Sequence, residues 1–117
     1  MRQGKGILIV LIGGLVLWWE HQVLATRGIV VENSGASFGL GKINSWLGIG
    51  VLIAGGWFLG QGSELILIGG LANLVDRFLF GHVRDYWRVP VLGVFNNIND
   101  WVIFLGAMWW GWKRWKK

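Results

Sequence analysis

Residues 43–63 carry no charged side chain, and about 20 such residues are what an α-helix needs to cross a bilayer. A small soluble domain offers no interior that could absorb a block of this kind. Residues 6–19 and 101–112 are likewise free of charge, and 54% of the 117 residues are hydrophobic. Residues 1–117 therefore read as one all-α integral membrane domain. Four transmembrane helices are expected over 5–25, 44–61, 63–80 and 98–114, with a small extended or β segment on the outer side.

The net charge of +5 does not indicate nucleic acid, because its placement is wrong for that. Arg2 and Lys5 precede the first apolar block, and Lys113, Arg114, Lys116 and Lys117 follow the last. Basic clusters at both ends, with an even number of helices, put both termini on the cytoplasmic side. Trp109, Trp110, Trp112 and Trp115 stand beside the C-terminal cluster, where an interfacial aromatic belt falls. The first nineteen residues have the charge pattern of a secretory signal. The following "EHQVLATR" lacks a small-x-small cleavage site, so a retained anchor is expected. The short "GQG" at 60–62 then turns on the cytoplasmic side, with Ser63 as an N-cap and Glu64 in the first helical turn. The connections 26–43 and 81–97 face outward.

The polar residues gather at that outer end. Glu20, Asp76, Arg77 and Asp100 all lie at the edges of apolar runs. Ionisable groups at membrane depth are costly, which marks them as functional candidates. On the third helix, Gly69, Asn73, Asp76 and Arg77 fall at i, i+4, i+7 and i+8, which is one face. That face serves either a polar cleft or a buried network locking the helix to its neighbours, and for Asp76 the network is the better reading. Gly pairs at 13–14, 55–56 and 69–70 read as close helix contacts. In "GHVRDYWRVPV", alternation sets Asp85 on the opposite side from His82 and Arg84, and Pro90 forbids a helix.

Fifteen residues after Asp85 comes Asp100, which with Asn97 has the spacing of a capping box. Spacing alone leaves capping and chemistry both open. Two neighbouring carboxylates cannot both ionise easily, so the pair holds one proton. The ionised member can take a proton from water while the protonated one polarises a carbonyl. With no Cys and only His21 and His82, a metal site has little support, and neither His has an evident serine-triad arrangement.

With "NSGASFG" (33–39), "GGLANLVDR" (69–77), "GHVRDY" (81–86) and "NNIND" (96–100) in order across four apolar blocks, the chain resembles signal peptidase II, the bacterial lipoprotein signal peptidase. The resemblance implies an aspartyl endopeptidase of the bacterial inner membrane with its site on the periplasmic side. It implies cleavage of prolipoproteins before the diacylglyceryl-modified lipobox cysteine. Asp85 and Asp100 match the family's catalytic aspartates. Asn33, Asn73, Arg77 and Asn97 match substrate-binding positions, and Asp76, Gly35 and Phe38 match supporting ones. No cofactor, no metal and no nucleic acid are implied. The implied partners are the lipid-modified prolipoprotein, membrane lipid and globomycin-type inhibitors, for a monomeric chain.

The chain also departs from the family pattern. "WWEHQVLATR" stands where an Asp-x-x-Ser/Thr-Lys motif is usual, so Glu20 is expected to replace the Asp. Asn96, Asn99 and Trp101 stand where Phe, Ala and Ser are usual. These departures keep a non-catalytic homologue, acting as a membrane binding or scaffold protein, as the alternative. A small transporter using the same acids is a third reading, weakened by the lack of a broken helix or inverted repeat.

Overall fold

A computed structural model of the chain describes residues 3–27, 31–33, 45–60, 62–89 and 94–116. Four helices carry the fold: α1 Gln3–Ala25, α2 Ser45–Leu59, α3 Glu64–Phe80 and α4 Ile98–Trp115. They match the four expected helices, with ends displaced by a residue or two. Among the described residues, the helix spanning Gly4–Ala25 is the one both long and apolar enough to cross a membrane, and the apolar stretch Trp46–Leu59 is shorter.

The extended segment after α3 is divided between two small antiparallel sheets. Their strands are β1 Val31–Asn33, β2 Val83–Asp85, β3 Trp87–Val89 and β4 Val94–Asn96. β1 pairs with β2, setting Val31 opposite Asp85 and Asn33 opposite Val83. That pairing ties the chain leaving α1 to the chain leaving α3. β3 and β4 pair with Trp87 opposite Asn96, which returns the backbone to the start of α4. Val83 and Asp85 share the buried face of β2, as their alternation predicts. Pro90 lies outside the described residues.

α3 is the central helix and packs against α1, α2 and α4. Glycine sets how close the neighbours come. A Cβ on Gly69 would lie 2.7 Å from the Asn99 carbonyl oxygen, and one on Gly106 would lie 2.7 Å from the Ile66 nitrogen. α3 and α4 thus meet at backbone distance at two levels, which only hydrogen-sized side chains allow. The 13–14 pair receives Ile68 and Leu71 of α3. Among the described residues, the 55–56 pair packs through Gly56, against Leu67, and nothing lies within 4 Å of a Cβ on Gly55.

The turn between α2 and α3 falls where expected, with Ser63 at the N-cap position and Glu64 in the first turn of α3. Gly60 and Gly62 do adopt left-handed φ angles of 69° and 91°. Ser63, however, makes no side-chain cap; its hydroxyl donates to the Gly60 carbonyl at 2.6 Å, so it closes the turn rather than serving α3. Trp110 donates its indole N–H to the Leu59 carbonyl at 2.9 Å, and Arg114 donates to the same oxygen. α4 therefore satisfies an orphan carbonyl at the end of α2. At the other end of α3, Gly81 takes a left-handed φ of 78° and its N–H bonds the Arg77 carbonyl, a helix stop that favours glycine.

Burial in this fold is inverted. Among the described residues, the buried hydrophobic side chains are Ala25, Ala72, Leu74 and Val83, whereas the fully buried large side chains include His21, Asn96, Asn97, Asn99, Asp76 and Asp85. Ile7, Leu15, Trp46, Trp57, Phe58 and Leu105 point outward. Polar groups inside and large apolar groups outside suit an apolar surrounding far better than water.

Candidate active site

Two polar clusters meet around the C-terminal half of α3. The first is built on Asp76, which is fully buried. Its Oδ1 accepts the Trp18 indole N–H at 2.9 Å and an Arg84 Nη2–H at 2.8 Å. Its Oδ2 accepts from His21 Nε2 at 2.6 Å, from Arg84 Nε at 3.1 Å and from the Arg84 backbone N–H at 3.1 Å. Arg84 also reaches Gln22 Oε1 at 2.5 Å and stacks over Phe80, 4.3 Å from the ring centre. Five N–H donors, two of them on one guanidinium, fill the lone pairs of a single carboxylate. Asp76 is thereby a clamp between α1, α3 and β2, and its oxygens are spoken for.

The second cluster holds Asp85 from β2 and Asp100 from α4, which are 1% and 4% exposed. Asn97 joins them. Its side-chain Nδ2 donates to Asp85 Oδ1 at 2.8 Å, and its backbone N–H donates to Asp100 Oδ2 at 3.2 Å. Asn97 Oδ1 accepts the Asp100 backbone N–H at 3.1 Å, completing the capping box at the start of α4. Asp100 is thus a capping acid and also part of the polar cluster, so the two readings open in the sequence do not exclude each other. Asn73 Nδ2 donates to Asp100 Oδ1 at 3.1 Å. Asn73 Oδ1 accepts from Asn97 at 3.2 Å and from Asn99 at 3.0 Å, which fixes the orientation of its amide. The buried Arg77 guanidinium interacts electrostatically with both Asp85 and Asp100. Two carboxylates, one cation and amides with fixed orientation make an arrangement able to hold one proton and direct it.

Tyr86 lies between the clusters. Its hydroxyl accepts the Ile98 backbone N–H at 3.1 Å and is 3.0 Å from His21 Nδ1. Burial, with the nearby charges of Asp76, Asp100 and Asp85, pushes its ionisation up to about 12. The phenol therefore stays neutral at physiological pH.

Of the residues singled out from the sequence, the structure brings together Asp85, Asp100, Asn73, Arg77 and Asn97, with Asp76 in the adjoining cluster. Asn33 is placed only through its backbone, opposite Val83 in the β1–β2 pair. Gly35 and Phe38 lie outside the described residues. Glu20 is exposed and makes no part of either cluster. α1 contributes Trp18, His21 and Gln22 instead, one turn of helix that includes the residue next to Glu20. Arg84 lies on the face of β2 opposite Asp85, as the alternation predicts, and its long side chain reaches Asp76. Asn96 accepts the Trp101 indole N–H at 3.2 Å, while Asn96 Nδ2 and Asn99 Oδ1 have no partner among the described residues. No group of three or more His, Cys, Asp or Glu is arranged to hold a metal among the described residues.

The sequence comparisons agree with this architecture. Residues 23–116 match the family described as Signal peptidase (SPase) II. The lipoprotein signal peptidase of Tropheryma whipplei is 36% identical, with 85% of this chain and 83% of that protein covered. That of Clostridioides difficile is 34% identical over 67% of this chain and 62% of its own length. That of Mycobacterium leprae is 32% identical over 90% of this chain and 55% of its own. The chain thus spans between about half and four-fifths of these relatives. In structure it is similar to a bacterial membrane enzyme solved by the in meso method, with a TM-score of 0.63 and 22% identity over 91% of this chain and 89% of the other. The matched residues cover α3, β2 and α4, the elements that hold both acids; the chain belongs to the signal peptidase II family.

Proposed function

We propose that this chain is an integral membrane aspartyl endopeptidase that removes the signal peptide of bacterial prolipoproteins before the diacylglyceryl-modified cysteine of the lipobox. The single observation carrying the reading is Asn97, whose side chain holds Asp85 while its backbone holds Asp100. Family membership supplies the substrate class, since the relatives are lipoprotein signal peptidases.

In this reading Asp85 and Asp100 share one proton. The ionised acid takes a proton from water as the water oxygen attacks the scissile carbonyl, and the protonated acid donates to the carbonyl oxygen. Collapse of the tetrahedral intermediate passes a proton to the leaving amine. Arg77, Asn73, Asn97 and Asn33 hold the substrate chain. For Asn73 and Asn97 this means exchanging an amide bond within the cluster for one to the peptide backbone. The apolar exterior faces lipid, all four helices span the inner membrane, and both termini stay cytoplasmic. The acyl chains of the substrate lie between helices while its peptide reaches the outer end of α3.

The test uses purified protein in lipid and a diacylglyceryl-modified prolipoprotein. Wild type should shorten the substrate, Asp85→Asn and Asp100→Asn should each abolish this, and a chelator should change nothing. Inactivity of wild type on several lipobox substrates would favour a non-catalytic homologue. Activity surviving either substitution would remove the dyad assignment.

A further inference from the structure

We propose that Tyr86 and His21 are positioning residues that hold the start of α4, and with it Asp100, in register with Asp85. The inference rests on the peptidase reading above, and concerns how the two acids are kept together rather than what they do.

Tyr86 straddles Asn97. Its backbone N–H donates to the Asn96 carbonyl at 3.0 Å, and its hydroxyl accepts the Ile98 N–H at 3.1 Å. Ile98 is the first residue of α4, so this hydroxyl occupies one of the donors that a helix start leaves unpaired. The neighbouring residue of the strand, Asp85, takes the Asn97 side chain. One dipeptide of β2 and its exit therefore grips three consecutive residues, Asn96, Asn97 and Ile98. Any rotation of the first turn of α4 that would carry Asp100 away from Asp85 must break the phenol contact.

What keeps the phenol in place is His21. It is fully buried, and its ring stands 5.4 Å from that of Tyr86. Only one tautomer satisfies every proton among the described residues. With hydrogen on Nε2, His21 donates to Asp76 Oδ2 and its Nδ1 accepts the Tyr86 hydroxyl. The hydroxyl in turn accepts from Ile98. Placing hydrogen on Nδ1 as well would point two donors at the phenol oxygen and leave the phenol proton without an acceptor. The result is a chain of donors running one way, from the α4 N-terminus through Tyr86 and His21 into the Asp76 clamp. It links α1 to the site although α1 contributes neither acid. His21 and Tyr86 are 65 residues apart in sequence, so the link exists only in the folded protein.

The experiment compares wild type, Tyr86→Phe, His21→Phe, the double variant and His21→Gln, each normalised to folded protein. A carboxamide carries a donor and an acceptor on one carbon, as the imidazole carries its two nitrogens, so Gln can keep both bonds. Tyr86→Phe should lower kcat about tenfold, as expected for one buried hydrogen bond lost in the transition state, with KM changed less than about twofold. The double variant should be no slower than His21→Phe alone, because both act through one chain, and His21→Gln should recover most of the rate. Unchanged kcat in Tyr86→Phe, additive losses in the double variant, or a loss fully explained by a smaller amount of folded protein would each overturn the proposal. An inactive wild type would instead count against the peptidase reading. In that case ¹⁵N spectra of the histidines still test the chain: His21 should show hydrogen on Nε2, and its Nδ1 signal should move in Tyr86→Phe. No movement would overturn the link.

Discussion

Asp76 and the pair Asp85–Asp100 lie at two junctions of the same helix, α3, in equally buried surroundings, yet they are solvated by different kinds of donor. Asp76 meets a guanidinium, an imidazole, an indole and a backbone N–H. The pair meets the amides of Asn97 and Asn73, with the Arg77 charge reaching both acids. A carboxylate saturated by charged and neutral donors resists protonation and movement. One held by amides, with an arginine charge shared with a second carboxylate, can gain and lose a proton without dismantling its surroundings. The difference separates a structural acid from the acids proposed for chemistry, and it can be tested by exchanging their behaviour.

The largest effect should come from neutralising the pair. Asp85→Asn or Asp100→Asn should reduce processing on the order of 10³-fold or more per folded molecule while leaving most of the protein folded, as read by activity against thermal melting. Asp76→Asn should do the reverse. Leaving Arg84 buried without its counter-ion costs about 3–5 kcal/mol, so the folded yield and melting temperature should fall sharply, with processing by the remaining folded protein within about tenfold of wild type. Equal loss of activity in all three variants would erase the distinction between the junctions.

Asn97→Ala should show an intermediate result, because it removes a helix cap worth about 1 kcal/mol together with the bond to Asp85. Both melting temperature and kcat should fall in the same variant. Asn99→Ala should be mild. It removes one amide bond to Asn73 but also an acceptor with no partner among the described residues, so stability should stay within about 1 kcal/mol.

The smallest effect is a titration. Tyr86 is the sole tyrosine of the chain, so phenolate absorbance reads it alone. Its ionisation is raised to about 12 by burial and by Asp76, Asp100 and Asp85, above the value near 10 of an unfolded chain. The folded state therefore holds the phenolic proton more tightly. The resulting stability is complete below about pH 10 and is lost as pH rises through about 12. Neutralising Asp100 or Asp85 should lower the transition slightly, and no change would show that the pair still holds a single charge at that pH.

Much of this arrangement was legible in the sequence, for identifiable reasons. Helical spacing placed Asn73, Asp76 and Arg77 on one face, and the N-cap to N3 spacing of Asn97 and Asp100 gave their capping box. Both are local patterns. His21 escaped because its partners, Asp76 and Tyr86, are 55 and 65 residues away. Glu20, the more conspicuous charge on α1, is exposed and belongs to neither cluster. Gly106 escaped because it stands alone and its role appears only against Ile66. Ser63 had the right type and position for a cap, but its hydroxyl found the nearer Gly60 carbonyl first. Three-residue strands such as β1 are too short for alternation to announce them.

Enzymes commonly store strain in their reactive groups, so that removing a catalytic charge makes the protein more stable and less active. The capping box of α4 reverses that trade for Asp100. The same carboxylate that is proposed to work on the substrate closes the first turn of the helix that carries it. A lineage of this chain that lost the reaction would gain nothing in stability by discarding Asp100, and would have reason to keep it. Retention of Asp100 alone is therefore a poor witness to activity. Asp85, whose removal opens no helix end, is the better one.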